Sequence, residues 1–215
     1  MHDIHLHIFT NSTISAPSTR VIRDTYSSFC DAFHVEAATV WMDPHPNTGA
    51  ADRYLSNLKK NFGVVQSTSS MSDGYVKAIL GSKSDYLFML EHDWLFIKER
   101  ITHSLDEIMA VMAAAGITHF RFNKRANTVA GWDRSLKECH TNGMDYCLTP
   151  NLSNNPHIIH RETYVNHIKR GLIRVLPGSK GIEEVIGAST YTYGAIYGPM
   201  GYEATIRHQD GRRRR

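Results

Sequence analysis

Glu91 and Asp93 flank His92 directly after the apolar run Tyr86-Leu-Phe-Met-Leu90. Such a run reads as a strand buried on both faces. Two carboxylates at the end of a buried strand are costly to hold unless a cation meets them. The cation that suits them is a hard divalent ion, which keeps some of its water and takes further oxygen ligands from a phosphorylated substrate. The residues that follow, Trp94-Leu-Phe96, are apolar and argue against two merely exposed acids. Residues i and i+2 share a face only while a strand continues. One of the two acids is therefore expected to bind through water.

The elements that must position this pair alternate. Ile4 to Phe9 reads as a first strand, followed by the polar loop Thr10-Asn11-Ser12-Thr13 and an amphipathic helix over 20–33 with Val21, Ile22, Tyr26 and Phe29 inward. Ala37 to Met42 is a second strand, ended by Asp43-Pro44. A helix over 52–61, a short strand over 63–66 and a Ser/Thr-rich loop lead to a helix over 73–80, with Ser72 or Asp73 as its cap. Beyond the organising strand, Ser104-Leu-Asp-Glu107 is a capping box opening a helix that Gly116 ends. Strands are expected over 117–122, 146–149, 157–160 and 204–208, with a helix over 161–170 and another beginning near Gly181. Residues 123–142 are expected to be an irregular polar segment. Alternation of strands and helices predicts a mainly parallel sheet covered on both faces. Ligands of such sheets bind at the carboxyl ends of strands. The polar strand ends, Thr10 to Thr13, Asp43, 67–73 and Glu91 to Asp93, are expected to gather at one edge.

This order, with Asp85-Tyr-Leu-Phe-Met-Leu-Glu91-His92-Asp93 as its centre, resembles the glycosyltransferases of GT-A fold, which carry a D-x-D motif after a buried strand. The size also resembles the compact GT-A domain of chlorovirus enzymes that glycosylate the capsid protein. The resemblance implies a Rossmann-like α/β fold with a mixed, mainly parallel sheet. It implies one domain over residues 1–211, with a nucleotide-binding half over 1–96, an acceptor half over 97–211 and a basic tail over 212–215. It implies a nucleotide-diphosphate sugar donor (a UDP-sugar of glucose or rhamnose type), a glycan or glycoprotein acceptor, and Mn²⁺ or Mg²⁺. Glu replaces Asp in the first acidic position, which leaves Asp93 as the more secure metal ligand. By the same resemblance His208 is a further ligand, and Thr10, Asn11, Ser12, Asp43, Asp73, Lys77 and His92 face the nucleotide. Arg207 balances the departing diphosphate, and Glu183 or Glu184 supplies the base that deprotonates the acceptor hydroxyl. Asn154, His157, His160 and Trp132 face the acceptor, and Trp94 and Tyr191 are further rings for stacking on sugar.

The rest of the chain restricts the alternatives. The formal charge of +3 is more than accounted for by the four arginines at 212–215, so no general nucleic-acid affinity follows. Three cysteines without metal-like spacing indicate a reducing, cytoplasmic setting, and no apolar run is long enough to span a membrane. The sequence stops without a closing element, which is compatible with further domains in a longer polypeptide. His5-x-His7 on the first strand resembles the opening of a metal-dependent hydrolase, the competing enzyme reading. It needs further ligands at later strand ends. A non-catalytic carbohydrate-binding domain is the other alternative, and retention of both Glu91 and Asp93 argues against it.

Overall fold

The computed structural model describes residues 3–11, 18–35, 38–43, 48–131, 133, 135–175 and 194–209. Among these residues the centre is a nine-stranded sheet. Its first half comprises β1 (Ile4–Asn11), β2 (Ala38–Asp43), β3 (Val65–Ser67) and β4 (Tyr86–Glu91), side by side as β3-β2-β1-β4 and all parallel. Its second half comprises β6 (His119–Arg121), β7 (Lys137–Thr141), β8 (Met144–Thr149), β9 (His157–His160) and β10 (Gly194–Tyr197). The order continues β9-β6-β10-β8-β7. The pairings of β9 with β4 and β6, and of β8 with β10 and β7, are antiparallel, so β9 and β8 run against the other strands. The carboxyl ends of β1, β2, β3, β4, β6 and β10 therefore share one edge, as expected for the first half. The loop that enters β9 arrives at that edge as well.

Helices cover both faces. α1 (Arg20–Ala32), α2 (Thr48–Asn61) and α4 (Leu105–Ala115) contribute to a core that includes Leu6, Ile8, Phe29, Tyr54, Phe88 and Met112. α3 (Met71–Gly81) and α5 (Arg161–Lys169) build the second core around Tyr75, Leu87, Met89, Ile159 and Tyr164. Strand β4 feeds both: Tyr86, Phe88 and Leu90 enter the first core, Leu87 and Met89 the second. This two-sided burial is why the strand reads as an unbroken apolar run. The α4 capping box forms as its sequence predicts, and Gly116 closes the helix in the left-handed region.

Three strands were not expected. A two-stranded ribbon joins β5 (Trp94–Phe96) to β11 (Ile206–His208). β7 is polar and largely exposed, so it carries no apolar alternation, as suits an edge strand. Its turn into β8 is Asn142-Gly143, both with positive φ (50° and 82°), the signature of a tight hairpin. β10 is Gly-Ala-Ile-Tyr, buried throughout. A Cβ on Gly194 would stand 2.9 Å from the Thr149 carbonyl oxygen, so close approach to β8 requires glycine. No helix among the described residues is long and apolar enough to cross a membrane, and the three cysteines are free thiols.

Candidate functional site

The chain turns at His92-Asp93 between β4 and β5, and the turn is fastened from three sides. The His92 amide donates to the Phe9 carbonyl at the end of β1, at 2.9 Å. Thr25 Oγ1 on α1 donates to the His92 carbonyl at 2.6 Å. The Gln209 amide donates to the Asp93 carbonyl at 2.6 Å, while its side-chain Nε2 reaches Val21 O at 3.1 Å and Thr25 Oγ1 at 2.9 Å. Gln209 immediately follows β11, whose pairing places His208 opposite Trp94. The ribbon thus carries His208 to the turn.

There His208 Nε2 lies 3.1 Å from Asp93 Oδ2, and its ring stands edge-on to Trp94 with centroids 4.5 Å apart. Asp93 Oδ1 is buried and has no hydrogen-bond partner among the described residues. Burial pushes the Asp93 carboxyl upward, but the hydrogen bond from His208 and the nearby imidazole charges outweigh it and hold the pKa below the ordinary value. Stability from this carboxylate is therefore present above the usual aspartate pKa and is lost as pH falls through the lowered one. Replacement His208→Ala leaves burial as the largest influence, and the Asp93 pKa is expected to rise above its ordinary value. A carboxyl-carbon NMR titration checks this; an unshifted Asp93 would mean that His208 does not hold it.

Glu91 is oriented differently. Asn154 Nδ2 donates to its Oε1 at 2.8 Å, which joins an expected metal ligand to an expected acceptor residue. Asn154 also lines a cavity of about 250 Å³ with Arg121, Asn123, Lys124, Arg125 and Asn155. Two buried asparagines build its wall. Asn123 Nδ2 donates to the carbonyls of Arg125, Tyr202 and Glu203. Asn127 Nδ2 donates to those of Tyr197, Gly198 and Pro199. These residues fall in a segment expected to be irregular, in which only Trp132 was expected to face the acceptor. The cluster Arg121-Phe-Asn-Lys-Arg-Ala-Asn127 at the carboxyl end of a predicted strand was the signal that could have found this cavity.

On the other side of β4, Asn11 and Asp43 stand opposite each other at the ends of β1 and β2. Asn11 Oδ1 is buried without a partner among the described residues. Asp43 accepts from Thr68 Oγ1 at 3.0 Å. Thr10 is buried and shares a 2.7 Å hydrogen bond with Tyr54 Oη, which pins α2 to β1.

Several expected site residues have other work in the fold. Ser70, rather than Ser72 or Asp73, caps α3; Asp73 accepts from the Ser69 amide and hydroxyl and from Lys77 Nζ at 2.8 Å. The Asp73 carboxylate and Lys77 thus serve the helix start rather than facing a ligand. His92 is buried beneath the turn, and burial lowers its pKa. Arg207 is exposed and alternates along β11 with His208, so the two side chains face opposite ways. His160 pairs with Tyr86 at the start of β4, the edge opposite Glu91, and bonds Thr163 Oγ1 at 2.9 Å. Ser12, Trp132, Glu183, Glu184 and Tyr191 lie outside the described residues.

His157 is corrected most clearly. Instead of facing an acceptor it is buried, with Nε2 bonded to Tyr75 Oη and Nδ1 to the Asn155 carbonyl, both at 2.7 Å. It stacks on His119 at 4.4 Å, and His119 Nδ1 bonds Tyr164 Oη at 2.7 Å. Burial pushes the His157 pKa down to about 4 and that of His119 well below its ordinary value. The unfolded chain binds these protons near pH 6.5 and the folded chain does not, so stability is full above that pH and falls as pH drops toward 4. His157 alone accounts for roughly 3 kcal/mol across this window. Urea unfolding midpoints should fall between pH 7 and pH 5, and a flat profile would show that these imidazoles are not held neutral.

The hydrolase alternative finds little support in geometry. His5 and His7 sit within β1 rather than at its carboxyl end, stacked at 4.5 Å. His7 Nδ1 accepts from Trp41 Nε1 at 3.0 Å, and burial brings its pKa down to about 3. Among the described residues no group of three or more His, Cys, Asp or Glu is placed to hold a metal ion. Asp93 and His208 are a pair, so an ion between them would complete its ligands from water and a bound phosphate.

No protein-family model and no curated protein matches the chain. Among solved structures it is similar to S. aureus TarS 1-349 in complex with UDP-GlcNAc, at 9% sequence identity and a TM-score of 0.53. The similarity covers 94% of this chain and 58% of that one, so the chain spans little more than half the length of the TarS chain. What the two share is the fold, a mixed α/β architecture around a large sheet that is mainly parallel in its core.

Proposed function

We propose that this chain is a glycosyltransferase that takes a nucleotide-diphosphate sugar and requires a divalent cation. The observation that carries the reading is the buried Oδ1 of Asp93 beside His208, without a hydrogen-bond partner among the described residues, at the sheet edge where an α/β fold binds ligands. A buried carboxylate oxygen without a partner is a costly state that a bound cation relieves. Asp93 and His208 would hold the ion, with Glu91 reaching it through water from its place beside Asn154. Imidazole with carboxylate suits Mn²⁺ at least as well as Mg²⁺. When bound, the ion supplies Lewis-acid stabilisation of the departing diphosphate.

The chain's own residues then divide the work. Asn11 and Asp43 offer an amide and a carboxylate for the base and ribose. The cavity beyond Glu91 receives the acceptor. Glu183 and Glu184 are the candidates for the base. The likeness to the solved complex of TarS with UDP-GlcNAc supports UDP as the nucleotide. A glucose or rhamnose donor and a capsid glycoprotein acceptor rest on the sequence resemblance alone.

The direct test is calorimetric titration of UDP and a panel of UDP-sugars with Mn²⁺, with Mg²⁺ and with EDTA, followed by a hydrolysis assay for UDP release. Binding that requires the ion is expected, with slow donor hydrolysis in the absence of acceptor. Absence of any nucleotide binding in the presence of Mn²⁺ would sink the reading. A carbohydrate-binding domain would bind sugar without nucleotide and release no UDP.

A further inference from the structure

Among the described residues, the cavity beyond Glu91 is lined by Arg121, Lys124 and Arg125 against a single carboxylate, Asp133. Arg121 is buried and ion-paired with Asp133. Arg125 Nη2 stands 4.0 Å from the other oxygen of the same carboxylate, so one aspartate faces two guanidinium groups. Lys124 Nζ lies 5.9 Å from the centroid of the Trp94 ring, the ring that also meets His208. An ammonium on an aromatic face gains some stabilisation but is not neutralised. Glu91, beside the cavity, is bonded to Asn154. The lining therefore carries excess positive charge inside a concave wall, where fields are focused rather than dispersed. Asn155 adds a neutral acceptor: its Nδ2 donates to the Phe122 carbonyl at 3.2 Å, while its buried Oδ1 has no partner among the described residues.

Position separates this cavity from the residues offered to the donor's base and ribose. Asn11 and Asp43 lie on β1 and β2, on one side of β4, whereas the cavity lies over β6 and the entry to β9, on the other. We propose that the cavity selects an anionic, polyhydroxylated acceptor, a sugar or polyol bearing a phosphate or carboxylate. Its anion meets Lys124 and Arg125, and a hydroxyl donates to Asn155. This rests on the glycosyltransferase reading for the word acceptor; the anion site itself stands on the cavity.

The test uses the whole chain and defined probes. Glucose 6-phosphate, glucuronate and glucose are titrated by calorimetry or ligand-observed NMR, each with and without saturating UDP and Mn²⁺. Binding of one or both anionic sugars in both conditions, with glucose much weaker, is expected; which of the two binds decides between phosphate and carboxylate. In the double variant Lys124→Gln/Arg125→Gln that binding should weaken roughly tenfold or more, the scale of a lost charge-assisted hydrogen bond. UDP affinity should stay within about twofold, since a factor of two is a small part of one such bond. Both side chains are exposed, so the fold is retained, and an unchanged melting temperature verifies it. Equal binding of glucose, no binding of either anionic sugar, or displacement of the anion by UDP–Mn²⁺ would each overturn the proposal. If UDP does not bind but the anionic sugars do, the glycosyltransferase reading fails and the anion site stands.

Discussion

Asp93→Asn should remove cation-dependent donor binding and lower sugar transfer by roughly 10²- to 10³-fold, the scale seen when one preorganised group stabilising developing charge is lost. The substitution keeps shape and one acceptor oxygen, so the turn held by Thr25 and Gln209 through backbone carbonyls persists. What disappears is the negative charge beside His208. Glu91→Gln should do less, because Glu91 is already engaged by Asn154 and is expected to reach the ion through water. The measurement is transfer rate against Mn²⁺ concentration for both variants. Asp93→Asn with an unaltered metal titration would show that this carboxylate does not hold the ion.

The second large effect concerns stability. Asp133→Ala should lower unfolding free energy by about 3–5 kcal/mol, because it leaves the buried Arg121 guanidinium without the carboxylate facing it. For a chain of this size that corresponds to a melting temperature roughly 10 °C lower. Arg125, exposed and 4.0 Å from Asp133, offers no compensation because it carries the same sign of charge. Thermal unfolding followed by circular dichroism measures this directly. A drop of less than about 1 kcal/mol, the size of an exposed ion pair, would mean that solvent reaches Arg121.

What was legible in the sequence divides along the sheet. In the first half, strands buried on both faces and helices with one apolar stripe leave strong periodic signals, and β1, β2, β4, α1 and α4 lie close to their predicted bounds. The gathering of Asn11, Asp43 and Glu91 at one edge followed from parallel order alone. The second half was harder to read. β7 is polar because it is an edge strand, and β10 contains a glycine demanded by contact with β8; neither shows alternation. The Asn142-Gly143 turn was a readable hairpin signal, obscured by the polar residues around it. Histidines misled for a related reason. Tyr75, Tyr164 and a backbone carbonyl satisfy His119 and His157 in the interior, and no local pattern distinguishes a satisfied buried imidazole from one facing a ligand. His208 came to Asp93 through a strand pairing that periodicity does not reveal.

That pairing has a consequence for biosynthesis. A chain made from its amino end presents Asp93 early, with β1 to β4 able to associate around it. Its partner His208 emerges only after the entire second half, and β11 must then find β5 across that span. Contacts of such long separation form late, because the intervening segment has to be ordered first. A ribosome-bound or truncated product can thus hold β1 to β4 while the Asp93–His208 pair is still open. That pair closes only once the chain has been made through β11.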